Sequence, residues 1–257
     1  MKAHSLFTKY SLLVLFVFIS TAFIVPYPTK TELNALSDNI NNHSLFDTHL
    51  RKIFNSCGLE TKGLSYKVFE KGMTGYFNLR NSKKGIISKS ILTIVDFEKR
   101  SKEKRLWVID LNKTKVLFNT LVAHGKNTGE DKAINFSNTP QSNMSSLGFY
   151  LTEETYCGKH GLSLRLNGLD EGFNSNARDR AIVMHGADYV CEEFISANGR
   201  LGRSQGCPAL PVKEHRPIIQ TIAGGSVLFI HHPTPGYESI YLNKEKAVQQ
   251  FIKQRKS

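Results

Sequence analysis

The 257-residue chain is long enough for one sizeable domain plus a small accessory region, and its length does not demand two full domains. Its 34 Lys and Arg against 22 Asp and Glu give a formal charge of +12, which favours polyanionic surroundings: nucleic acid, anionic lipid headgroups or an acidic cell-wall polymer. The basic residues are scattered, and neither zinc-finger spacing nor an RNP-type aromatic motif is present, so the reading is no nucleic acid.

The N-terminus comes first. Lys2 and Lys9 precede the apolar stretch Leu12 to Val25, which is short of the roughly 20 residues that a spanning helix needs. It fits the basic and apolar regions of an export signal, with small residues at Ser20-Thr21-Ala22 for cleavage; the alternative is an uncleaved membrane anchor. Residues 1–25 are therefore expected to be a signal peptide or anchor, and the rest to be exported to the periplasm or cell envelope.

Residues 30–85 read as a helical accessory region. Leu33, Leu36 and Ile40 recur at helical spacing, as do Leu45, His49 and Ile53, and a second helical run covers Leu64 to Leu79, weakened by Gly72 and Gly75. From Ile86 onward the pattern becomes short apolar or alternating runs rich in strand formers. Ile91–Phe97, Leu106–Leu111 and Val116–Val122 are followed by Phe149–Thr152, Leu162–Leu166, Ala181–His185 and Val227–His231; Asn112-Lys113 suggests a hairpin. Between Gly125 and Ser146 lies a polar stretch with few strand signals, a loop length that usually serves function. Pro211 to Ile222 reads as a helix closed by Gly224-Gly225, and Asn243 to Lys253 as a basic amphipathic helix. The expected fold class is mainly β (α+β), with a small N-terminal helical region beside a β domain.

The chemistry concentrates in two places. His185-Gly186 closes the apolar run Ala181–Met184, so a strand end would deliver the imidazole and Gly186 would allow a sharp turn. Cys207 follows 22 residues later in Gly202-Arg203-Ser204-Gln205-Gly206-Cys207-Pro208. A thiol becomes a strong nucleophile when a base or positive charge makes it a thiolate. Gly206 leaves room for backbone N–H groups to face an oxyanion. Ser204 is expected to bond the imidazole or substrate, or to close a turn; Arg203 is expected to lower the thiol pKa, to meet a substrate carboxylate, or to sit in solvent. Tyr189 walls the pocket or packs. Arg165 faces the cleft or water, and Asn174, Arg178 and Asp179 are read as structural hydrogen-bonders. Cys157 and Cys191 are read as small buried hydrophobes, and at most one disulfide is open to the three cysteines other than Cys207. There is no C-x-x-C, no H-x-x-x-H, and His231-His232 has no acidic or cysteine partner nearby in sequence, so no metal and no cofactor is expected.

The segment Val183 to Cys207 resembles the catalytic motif of the L,D-transpeptidases of bacterial cell-wall synthesis, in which a histidine precedes Ser/Thr-His-Gly-Cys. Upstream, Val122-Ala123-His124-Gly125 and Ser145-Ser146-Leu147-Gly148-Phe149-Tyr150 resemble that family's turns into strands; the stretch from about Leu92 to Ile230 is more similar to its divergent murein branch than to the main branch, and the resemblance covers roughly residues 60–235. Gln205 stands where the motif's second histidine is usual, and Ala209 where main-branch members carry Asn or Arg. The gap between His185 and Cys207 is also longer than usual.

The resemblance implies an L,D-transpeptidase-like β-sandwich or barrel over residues 86–235, with 236–257 as a basic C-terminal extension. It implies His185 as base and Cys207 as nucleophile in forming a thioester on a peptidoglycan tetrapeptide stem. The backbone of Cys207 and Gly206 would stabilise the oxyanion, and an amine from a second stem or a protein would accept the acyl group. Water as acceptor would make the chain an L,D-carboxypeptidase or other cysteine peptidase. A non-catalytic cell-wall-binding module is the third possibility.

Overall fold

The computed structural model describes residues 29–82 and 86–256; the export-signal expectation for residues 1–25 lies outside them. No helix among the described residues is long and apolar enough to cross a membrane. The chain divides at Asp38/Asn39 into two units, the division falling within the first helix, α1 (Lys30–Ser56), and the second unit carries everything below.

That unit is α+β. Helix α2 (Tyr66–Ser82) leads into strands β1 (Ile91–Asp96), β2 (Leu106–Asp110), β3 (Lys115–Thr120), β4 (Gly148–Gly158), β5 (Gly161–Gly168) and β6 (Val183–Ala187). Helix α3 (Glu192–Asn198), β7 (Ala209–Pro211), α4 (Val212–Ile222), β8 (Val227–His231), a short 3-10 turn (Ile240–Leu242) and α5 (Lys244–Lys256) follow. The strands form one mixed sheet ordered β3-β2-β1-β8-β4-β5-β6-β7. The segment after β3 then reaches the far edge through bridges Ala123 to Ala209 and Gly125 to Ser204, so the sheet closes on itself like a barrel.

The central strands are apolar on both faces, which is why they read as continuous runs rather than alternating ones. Leu92, Ile94, Trp107, Phe149, Val227 and Phe229 join one core with α1, α2 and α5, through Phe46, Phe69, Val248 and Phe251 among others. Their neighbours Val95, Leu106, Val108, Tyr150, Leu228 and Ile230 face the inside of the curl, covered by Ile218, Ile219 and Ile222 of α4. The helices before β1 thus share a core with the sheet. Gly75, which weakened the helical reading of α2, permits close approach: a Cβ there would come within 2.0 Å of the Phe149 ring. By contrast, Leu36 and Ile40 of the predicted α1 stripe are exposed, so helical spacing there does not mark a buried face.

The expected hairpin at 112–113 joins β2 to β3, with Thr114 at positive φ. The stretch 125–146 has no strand. Three elements were not anticipated: α3, β7 and the 3-10 turn. Each is too short for a periodic signal to emerge. All four cysteines are free thiols. Cys57 is buried, whereas Cys157 is exposed and Cys191 is half-exposed, the latter capping α3 by accepting from the Phe194 N–H; neither of these two is the buried hydrophobe expected.

Candidate active site

Strand β6 lies between β5 and β7, with His185 abreast of Ser163 on one side and of Ala209 on the other. His185 is therefore the central residue of its strand and not its end. Gly186 is likewise extended strand and makes no turn; the His215 ring fills the place its side chain would take. Both differences have one cause: three residues of β7, invisible as a pattern, lengthen the paired region beyond His185.

The parallel register of β6 and β7 does the positioning. Because Ala209 pairs with His185, Cys207, in the bend just before β7, comes to lie beside Val183 at the start of β6. Its Sγ accepts from the Val183 N–H at 3.4 Å and lies 3.9 Å from the Ala181 carbonyl oxygen. His185 and Cys207 line one cavity of about 720 Å³, together with Lys159, His160, Arg180 and Tyr189. They are not hydrogen-bonded to each other.

The protonation of the pair follows from their surroundings. His185 Nδ1 is 2.9 Å from the Gly186 carbonyl oxygen, an acceptor only, so Nδ1 carries the proton and Nε2 carries the free lone pair. Burial, then the charges of His160, His215 and Lys159, hold the ring below its ordinary 6.5, against the Gly186 hydrogen bond. The imidazole is thus neutral near pH 7, the state a general base needs. Burial pushes the Cys207 thiol up, opposed by the Val183 N–H and by the charges of Arg180 and Lys159. The resting group is therefore a thiol, which a base must deprotonate.

The loop carrying Cys207 is tied at several points. Ser204 Oγ donates to the Cys207 carbonyl at 2.6 Å and accepts from the Gly206 N–H at 3.0 Å. Ser204 thus closes the turn and does not touch the imidazole. Gly206 has φ +123°, and a Cβ on it would lie 2.7 Å from the Met144 carbonyl oxygen. Its N–H, expected to face an oxyanion, is already committed to Ser204. The Cys207 N–H has no hydrogen-bond partner among the described residues. Ser145 Oγ, from the upstream turn, donates to the Gly206 carbonyl and accepts from the Gly125 N–H, joining the two motifs seen in the sequence.

Arg203 reaches the cavity wall, but its guanidinium is held by Glu130 and by the Lys126 and Gly129 carbonyls. The charge acting on Cys207 comes instead from Arg180, which bonds the Ser137 and Met144 carbonyls at 2.7 and 2.6 Å and has no carboxylate partner among the described residues. Its neighbour Arg178 pairs with Glu153 and Glu154, and Asn174 bridges Phe149 and Asp170, as structural hydrogen-bonders do. Arg165 pairs with Glu154 over the Tyr156 ring. The sequence reading missed Arg180, Lys159 and His160. His160 stacks on His185, centroids 4.4 Å apart and 23° between planes. It sits with Lys159 in the two-residue turn between the paired Gly158 and Gly161, and Gly-Lys-His-Gly between two apolar runs was the available hairpin signal.

Cys207, in the bend before β7, and His185, in β6, thus open to one cavity of a curled α+β sheet. Residues 60–231 match the family model described as the L,D-transpeptidase catalytic domain, and the chain belongs to that family. No curated protein matches it. Among solved structures it is similar to an L,D-transpeptidase from Mycobacterium smegmatis, at 12% identity and TM-score 0.34 over 56% of this chain and 59% of that one. It is also similar to the helical cell shape determining protein Pgp2 from Campylobacter jejuni, at 11% and 0.40 over 72% and 64%. A third is an L,D-transpeptidase from Stackebrandtia nassauensis, at 17% and 0.34 over 64% and 67%. The chain thus spans about three fifths of the length of the first of these.

Proposed function

We propose that this protein is an exported cysteine L,D-transpeptidase that acts on peptidoglycan tetrapeptide stems. The observation that supports it most directly is that Cys207, just before β7, and His185, of the neighbouring β6, line one cavity inside the family-matched span. In this reading Cys207 Sγ leaves the Val183 N–H, gives its proton to His185 Nε2 and attacks the carbonyl of the third stem residue. The Cys207 N–H donates to the oxyanion; a donor of this kind is worth about 2.7–4 kcal/mol. Collapse breaks the C–N bond to the terminal D-alanine, whose amine takes the proton back from His185, leaving a thioester. An amine of a second stem, or of a protein, then attacks the thioester and restores the thiol. Lys159 and Arg180 supply positive charge beside a substrate that carries carboxylates.

Incubation with a carbapenem is the direct test, since the resemblance implies acylation by such compounds. The intact mass should rise by one adduct on Cys207, and D-alanine should be released from tetrapeptide stems. Cys207→Ser should lose both, on the order of 10³-fold or more. A wild-type protein that neither forms the adduct nor releases D-alanine would sink the reading and leave the wall-binding module. Product analysis with and without an amine acceptor separates transfer from hydrolysis.

A further inference from the structure

Folding gives His231 the acidic neighbours that its sequence context lacks. Asp96, the last residue of β1, pairs in parallel register with His231, the last residue of β8. The Phe97 N–H donates to the His231 carbonyl at 2.8 Å, and the Glu98 N–H to Asp96 Oδ1 at 3.1 Å, which turns the chain back over the strand ends. As a result one ring nitrogen of His231 and one carboxylate oxygen each of Asp96 and Glu98 lie within 4.8 Å of one another.

Apart from the Glu98 N–H on Asp96, no hydrogen bond or ion pair reaches these three side chains from the described residues. Among the described residues neither carboxylate forms a salt bridge. His231 is only 3% exposed, and its Nδ1 is shut off from water without a hydrogen-bond partner. A buried polar atom left in this way is destabilising unless a partner reaches it. The neighbouring His232 takes no part, because its Nδ1 is satisfied by Thr234.

We infer that Asp96, Glu98 and His231 form a divalent-cation site at the joined ends of β1 and β8. Two carboxylates and one imidazole, without thiolate, suit zinc or a similar first-row dication. Two negative charges match its charge, although Lys67, Lys71, Lys99 and Arg105 nearby work against it. Glu98 is exposed, so a remaining coordination position opens toward solvent. Such an ion would clamp β1 to β8 and fix the turn that follows.

The test uses the full chain with its accessible thiols capped by iodoacetamide, so that Cys157, Cys191 and Cys207 cannot take the metal. Zn²⁺ binding is measured by equilibrium dialysis in a non-chelating buffer, and the melting temperature is followed with and without Zn²⁺. The wild-type chain should bind one equivalent and melt higher in its presence. Glu98→Gln and His231→Gln should each weaken binding by about tenfold or more. Should His231→Gln fail to fold, the exposed Glu98→Gln decides. No saturable binding by the wild-type chain, or binding of equal strength by Glu98→Gln, overturns the inference. Neither readout involves acylation, so it stands or falls apart from the proposed activity.

Discussion

The imidazole of His185 is the residue on which the proposed chemistry turns, and its environment makes a prediction about pH. A base held below 6.5 keeps its lone pair throughout the neutral range and loses it only as pH falls through that lowered value. The rate of Cys207 acylation should therefore show an acid limb below 6.5. His160 is stacked on the ring, and its positive charge, when present, disfavours a second one on His185. His160→Gln should move the limb to higher pH, read from the rate of carbapenem adduct formation across a pH series. A limb that stays put or moves lower would mean that His160 packs without tuning the base. Arg203 and Arg180 teach the complementary point. Both are arginines near Cys207, but Glu130 neutralises one and only carbonyls and hydroxyls hold the other. Pairing of that kind depends on tertiary placement that single-sequence reading does not supply.

At the level of elements, the long ones were legible. The helical periods of α2 and α4 and the apolar runs of β1, β2, β5 and β8 follow from their own residues. The two-sided burial of β1, β2 and β8 makes them nearly continuous apolar runs, whereas β5 alternates as Leu162, Leu164 and Leu166 turn inward. What escaped is short: β7 has three residues, yet its pairing with β6 anchors the bend whose Cys207 contacts Val183. A motif can thus be visible in sequence while the strand that aims it is not. Helix α2 carries a further expectation. Its Gly75 lies where any side chain would enter the Phe149 ring, and Phe149 is itself stacked on Phe229 at 4.3 Å. Gly75→Ala gains helix propensity but overpacks this contact. A net loss of about 1–3 kcal/mol is expected by urea denaturation; an unchanged or raised midpoint would show that the two rings yield freely.

For the whole molecule, the formal charge of +12 is spread over the chain and acts as a general field. Retention on purified cell walls bearing anionic polymer should fall as salt rises from low to physiological strength, because the Debye length shrinks to about 8 Å. Retention indifferent to salt would mean that binding is local to the cavity. The closure of the sheet has a separate consequence for how the protein comes into being. Gly125 meets Ser204, Ala123 meets Ala209, and Ser145 holds Gly206, contacts that join positions some 60 to 90 residues apart along the chain. Loops of that length are slow to close and form late. A chain still being synthesised, or one cut short of the final strand, would carry its cysteine unaimed, so the cavity that holds Cys207 and His185 is assembled only with completion.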